Sequence, residues 1–251
     1  MRMQRYVWLS VYGLWLIGCG HTQTVTPPPA AVPPPAAVPL PAAKPPAGSE
    51  SIATFMKEHF LIVTYARDLI IGGDLDSVRT PLYALATYGY ETVAPGGWMK
   101  GIAQLQAASK LTSEAETLGA AAKGVATMAR LCGQCHLDRG GPVMPQYERD
   151  EESPKSDQLE ERMARHAWAV ELMWEGLIGP SDSAWQAGAA ALARAPIGAP
   201  ESHPALSKSL VEVRSLGSRA SNASTAEQRE SVFAQLLATC ADCHRRQDDE
   251  P

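Results

Sequence analysis

The chain has 251 residues, 45% of them hydrophobic, with 22 Lys and Arg against 27 Asp and Glu and a formal net charge of −5. This acidic balance argues against nucleic acid as a partner, because no excess of cations is present to neutralise phosphates. Five cysteines are present, an odd number, so at least one stands outside any paired arrangement.

Taken in chain order, Arg2 and Arg5 precede an apolar run from Tyr6 to Ile17, closed by Leu16-Ile17-Gly18-Cys19. About a dozen apolar residues are too few to cross a bilayer comfortably, so residues 1–18 read as an export signal. The closing tetrapeptide resembles a bacterial lipobox. The resemblance implies that Cys19 becomes the lipid-modified first residue and anchors the mature chain in a cell envelope. The folded part would then lie in the periplasm or at the cell surface. Inner-membrane lipoproteins of this kind carry Asp after the cysteine, so Gly20 leans toward the outer membrane. Loss of Arg2 and Arg5 with the signal leaves a more acidic chain.

Residues 19–49 follow as a linker rich in Pro and Ala, with runs Pro27-Pro28-Pro29 and Pro33-Pro34-Pro35. Such a stretch cannot bury a core and favours extended polyproline II structure. It reads as a disordered tether that reaches roughly 70 Å at about 3.1 Å per residue.

The remaining 200 or so residues contain an internal repeat. Met56-Lys57-Glu58-His59 recurs as Met163-Ala164-Arg165-His166, and Ile70-Ile71-Gly72 as Leu177-Ile178-Gly179, both displaced by 107 positions. Cys132 falls against Cys240, displaced by 108. Two domains follow from this, residues 50–137 and 156–251, joined by a Gly, Pro and charge-rich linker at 138–155. Each half reads as four helices, and no strand pattern persists, so the class is all-α. Apolar positions at steps of three and four open each half: Ile52, Met56, His59, Val63, Ala66, Ile70, then Leu159, Met163, His166, Val170, Met173, Leu177. Second helices are expected at about 75–87 and 182–194, third helices at about 98–108 and 204–218. Ser113-x-x-Glu116 and Ser224-x-x-Glu227 look like capping boxes for the fourth helices.

Each fourth helix ends in Cys-x-x-Cys-His: Cys132-Gly133-Gln134-Cys135-His136 and Cys240-Ala241-Asp242-Cys243-His244. This spacing is the attachment signature of c-type haem. Two thiols can form thioethers with the vinyl groups while the adjacent imidazole takes the iron, which implies two covalent haem c groups with His136 and His244 as proximal ligands. A shared four-cysteine zinc site leaves the repeated histidine unexplained. A dithiol redox site belongs to a strand–helix context that is missing here.

A class I cytochrome c carries this motif near its start, whereas here only a short charged tail, Arg245 to Pro251, follows His244. The position of the motif resembles the cytochrome c′ family and its low-spin relatives, antiparallel four-helix bundles with the motif at the end of the last helix. The resemblance implies two tandem bundles in which the start of the first helix faces the haem. His59 and His166 occupy that depth on the core stripe and are the expected distal iron ligands. Met56 and Met163, one turn earlier, are the rivals that the low-spin relatives favour, and an open iron is the third possibility.

Two functions follow. Six-coordinate irons make the chain an electron carrier that exchanges electrons with other periplasmic or membrane redox proteins, not an enzyme. An open iron would make it a gas-binding, sensing or weakly peroxidatic haem protein. No catalytic set of a distal acid or base with a charge-stabilising partner is recognisable, and His21 and His203 have no counterparts in the repeat.

Overall fold

The computed structural model describes residues 52–89, 96–140, 159–197 and 206–248. The signal, Cys19, the tether, the inter-repeat linker beyond Gly140, His21 and His203 lie outside the described residues. Among the described residues all regular structure is helical, as the absence of strand periodicity predicts.

Within the described residues eight α-helices follow one another: α1 (Ile52–Ile71), α2 (Leu75–Thr87), α3 (Met99–Ser113), α4 (Leu118–Arg139), α5 (Leu159–Ile178), α6 (Asp182–Ala193), α7 (Ser207–Ser221) and α8 (Ala226–Asp248). The starts of α1 and α5, and of α2 and α6, differ by 107 positions; those of α3 and α7, and of α4 and α8, differ by 108. None of the described helices is long and apolar enough to cross a membrane.

Local chemistry explains most helix ends. Asp74 accepts a hydrogen bond from the Ser77 N–H at 3.0 Å to open α2, and Ser181 accepts one from the Ala184 N–H at 3.3 Å to open α6. The two expected capping boxes are displaced. Ser113 donates its hydroxyl to the Lys110 carbonyl within α3, which therefore runs on past Ala108, and Thr117 caps α4 through the Ala120 N–H. Before α8 the reciprocal box is Thr225-x-x-Gln228, one position later than expected: Thr225 Oγ1 accepts from the Gln228 N–H while Gln228 Oε1 accepts from the Ser224 and Thr225 N–H groups. Gly140, at φ 70°, closes α4 by donating its N–H to the His136 carbonyl.

The helices of the first half pack in order, α1 on α2, α2 on α3 and α3 on α4, with α4 returning to α1. The second half repeats the series from α5 to α8. The stripe on the first helix of each half is the buried one: Val63, Ala66 and Ile70 in α1, Val170, Met173 and Leu177 in α5. One apolar core runs through both halves, because α4 packs on α8 and α5, and α1 on α8. At its centre Trp174 stacks on Phe233 with ring centroids 5.8 Å apart, and its indole N–H donates to Thr64 Oγ1 at 3.2 Å. Arg67 lies over the same indole, 5.0 Å from the ring centroid, and pairs with Glu171 at 2.6 Å.

Candidate haem-binding sites

The first site forms where the start of α1, the end of α2, the start of α3 and the end of α4 meet. Cys132, Cys135 and His136 occupy positions i, i+3 and i+4 of α4 and so share one face. A Cβ built on Gly101, in the first turn of α3, would lie 3.3 Å from the Cys135 sulfur, so the missing side chain leaves room for that atom. The next residue, Ile102, belongs to a small cluster with Phe55, flanked by Met56, Tyr88, Trp98 and Met99. His59 sits on this cluster, its ring edge-on to Phe55 at 4.0 Å and to Tyr88 at 5.8 Å between centroids.

The second site repeats the arrangement with different neighbours. Cys243 is buried with Leu206 and Leu210 from the start of α7, and Met163 of α5 packs against the same cluster. His166 lies one turn deeper in α5. At the second site the rival methionine thus packs against the cluster that contains a motif cysteine.

Burial sets the chemistry of these groups. His59 and His166 are 5% and 9% exposed, and burial pushes both imidazoles down to about 4. At His166 the Arg162 and Arg165 guanidinium groups act in the same direction after burial. Both rings are neutral at pH 7 and offer a lone pair. Burial pushes the Cys132 and Cys240 thiols up to about 12, each helped by its partner cysteine. Among the described residues no three His, Cys, Asp or Glu side chains converge, so the two cysteine pairs do not assemble a shared four-cysteine site.

Sequence reasoning missed the contribution of the opposite half. Burial lowers the His136 imidazole and the Ile178 backbone carbonyl opposes that shift. Nδ1 of His136 is buried without a hydrogen-bond partner. Ile178 ends α5, and Gly133 of the first motif lies directly under the same helix end: an added Cβ would meet the Leu177 carbonyl oxygen at 2.1 Å. In the sequence only the Gly at 133, against Ala at 241, hinted at a close approach.

Beside this contact a cleft of about 280 Å³ is lined by Gly133, Gln134 and Leu137 of α4 together with Asp182 and Arg229. Arg229 pairs with Asp182 at 2.7 Å, and Arg130 with Glu230, so the charges along the cleft are largely matched. In comparisons with known proteins the chain matches no family model, no curated protein and no solved structure.

Proposed function

We propose that the chain is a dihaem c-type cytochrome whose two halves are tandem antiparallel four-helix bundles of the cytochrome c′ kind, and that it carries electrons rather than transforming a substrate. The observation that carries this reading is the repeated pairing of a Cys-x-x-Cys-His at the end of one helix with a buried imidazole at the start of another. The matching helix starts, at 107 or 108 positions, support a duplication.

The donor sets fit haem c. Cys132 and Cys135, and Cys240 and Cys243, would hold the porphyrin through thioethers, with His136 and His244 proximal. The bound group supplies reversible one-electron chemistry at iron. The protein's part is to present neutral imidazoles and exclude water. His59 and His166 are the distal ligands in this reading, because each is a buried, neutral imidazole at the matching place in the first helix of a motif-bearing half. Six-coordinate irons leave no position for a substrate, so transfer proceeds by outer-sphere exchange with unidentified redox proteins of the envelope. Cys19 would tether the molecule there by its lipid.

Met163 gives the rival ligand a specific foothold at the second site, since it packs against the cluster containing Cys243. The test is the spectrum of the holoprotein, oxidised and reduced, with and without carbon monoxide, beside a haem count. Two haems per chain with low-spin spectra unmoved by the gas are expected. A high-spin component that binds carbon monoxide would overturn the carrier reading in favour of gas binding or sensing.

A further inference from the structure

The two motif-bearing helices run antiparallel and side by side. Thr127 and Arg130 of α4 both reach Glu230 of α8. Gly133 and Leu137 line the same cleft as Ser224, Ala226 and Arg229. In this register Cys132 stands opposite position 226 or 227, about 13 residues before Cys240, or roughly 20 Å at 1.5 Å per residue. The first helices give an independent measure. Thr64 bonds to Trp174 and Arg67 pairs with Glu171, so α1 and α5 cross antiparallel with paired positions summing to 238. His59 then stands opposite position 179, again about 13 residues and roughly 20 Å from His166.

The contacts at the two ends agree with both registers. The first motif abuts the C-terminal end of α5, through Gly133 against Leu177. The second abuts the C-terminal end of α1: a Cβ built on Gly73 would meet the Arg245 side chain at 2.6 Å and the Ala241 carbonyl oxygen at 3.5 Å. Each motif thus sits at the end of its own half where the other half's first helix finishes.

We propose that the two haem sites are mounted at opposite ends of the molecule, separated by the Trp174–Phe233 core, so that the chain is a two-ended conductor with one partner-facing surface at each end. This inference rests on the dihaem reading. It excludes a stacked haem pair, makes the two irons magnetically and electrostatically near-independent, and lets a donor and an acceptor dock without competing for one face.

The experiment uses the full-length, lipid-anchored holoprotein in detergent. Haem is counted first by the pyridine haemochrome spectrum, and fewer than two haems per chain would overturn the dihaem reading itself. With two haems present, electron paramagnetic resonance of the oxidised protein should show two uncoupled ferric signals, and a pulsed dipolar measurement should give an iron–iron distance of roughly 20 Å or more. A spin-coupled spectrum, or a distance well short of that, would overturn the opposite-end arrangement while leaving the haem count intact. The double variant Cys240→Ala, Cys243→Ala should keep the first haem with an unchanged midpoint potential and spectrum. A shifted potential in that folded variant would also overturn the independence, and the wild-type distance decides the matter if the variant does not fold.

Discussion

Replacing Gly133 by Ala tests the contact between the first motif and the opposite half. An alanine Cβ would sit 2.1 Å from the Leu177 carbonyl oxygen, with the Leu177 carbonyl carbon at 3.3 Å and the Ile178 oxygen at 3.6 Å. Ordinary contact begins near 3.4 Å, so α4 and α5 must separate locally by about 1.3 Å, and the obstacle is backbone rather than a flexible side-chain tip. Overpacking of this kind costs about 1–3 kcal/mol. Removing a helical glycine returns about 0.5–1 kcal/mol. The net expectation is a loss of about 1–2 kcal/mol, which lowers the Tm of a domain this size by about 2–8 °C. Gly119→Ala in the same helix is the control: nothing lies within 4 Å of its built Cβ, so the same substitution should hold or raise the Tm. Thermal unfolding is followed at matched haem content. Ala241 occupies the corresponding place in the second motif, so attachment chemistry tolerates alanine and haem content should not change. A Gly133→Ala protein as stable as Gly119→Ala would refute the close approach of α4 to α5.

Single variants His59→Ala and His166→Ala should each convert one haem to high spin and open it to carbon monoxide, whereas unchanged spectra in both would transfer ligation to Met56 and Met163. Arg67→Ala should cost about 1–3 kcal/mol in denaturant unfolding, since it removes the cation and the buried stem packed over Trp174, while Asp68 and Glu171, both about half exposed, return to water. Glu171→Gln, on a half-exposed side chain, should cost less than about 1 kcal/mol. The hydrogen bonds that Asp74 accepts at the Ser77 side chain and N–H hold its carboxyl below the usual range, so the ionised cap stabilises α2 above the unfolded value of about 3.9. That stabilisation disappears as pH falls through the lower folded value. Asp74→Asn should keep the cap yet flatten this part of the acid-unfolding curve, and an unaltered curve would dismiss Asp74 as a contributor.

Local patterns carried most of the fold because they are local. The stripe from Met56 to Ile70 and its copy from Met163 to Leu177 mark one helical face each, and those faces are the buried ones. Gly72-Gly73 and Gly179-Pro180 mark the ends of α1 and α5, and α2 runs over Leu75–Thr87 as its periodicity predicts. The cap of α4 was misread because Ser113-x-x-Glu116 has the right letters, while a serine inside a continuing helix satisfies its hydroxyl on the carbonyl three residues back. At the candidate sites Cys132, Cys135, His136 and His59 announce themselves by type and spacing. Phe55, Tyr88, Gly101 and the Ile178 carbonyl do not, because their roles come from tertiary approach between segments far apart in sequence.

Under the proposed duplication, the contact between the halves differs from any that a pair of identical subunits could make. Position 67 corresponds to position 174, and these two residues meet: Arg67 lies 5.0 Å above the Trp174 ring. Equivalent positions would face each other in the same way across a two-fold axis in a symmetric dimer, where both must be the same residue. Two guanidinium groups there would repel in a buried site, and two indoles would overfill it. An arginine facing a tryptophan satisfies both demands, since the cation finds a π face and Glu171 while the indole finds Phe233 and Thr64. The same freedom separates Gly133 from Ala241 and Phe55 from Arg162. The surroundings of the two buried histidines differ as well: His59 lies against Phe55 and Tyr88, while Arg162 and Arg165 act on His166.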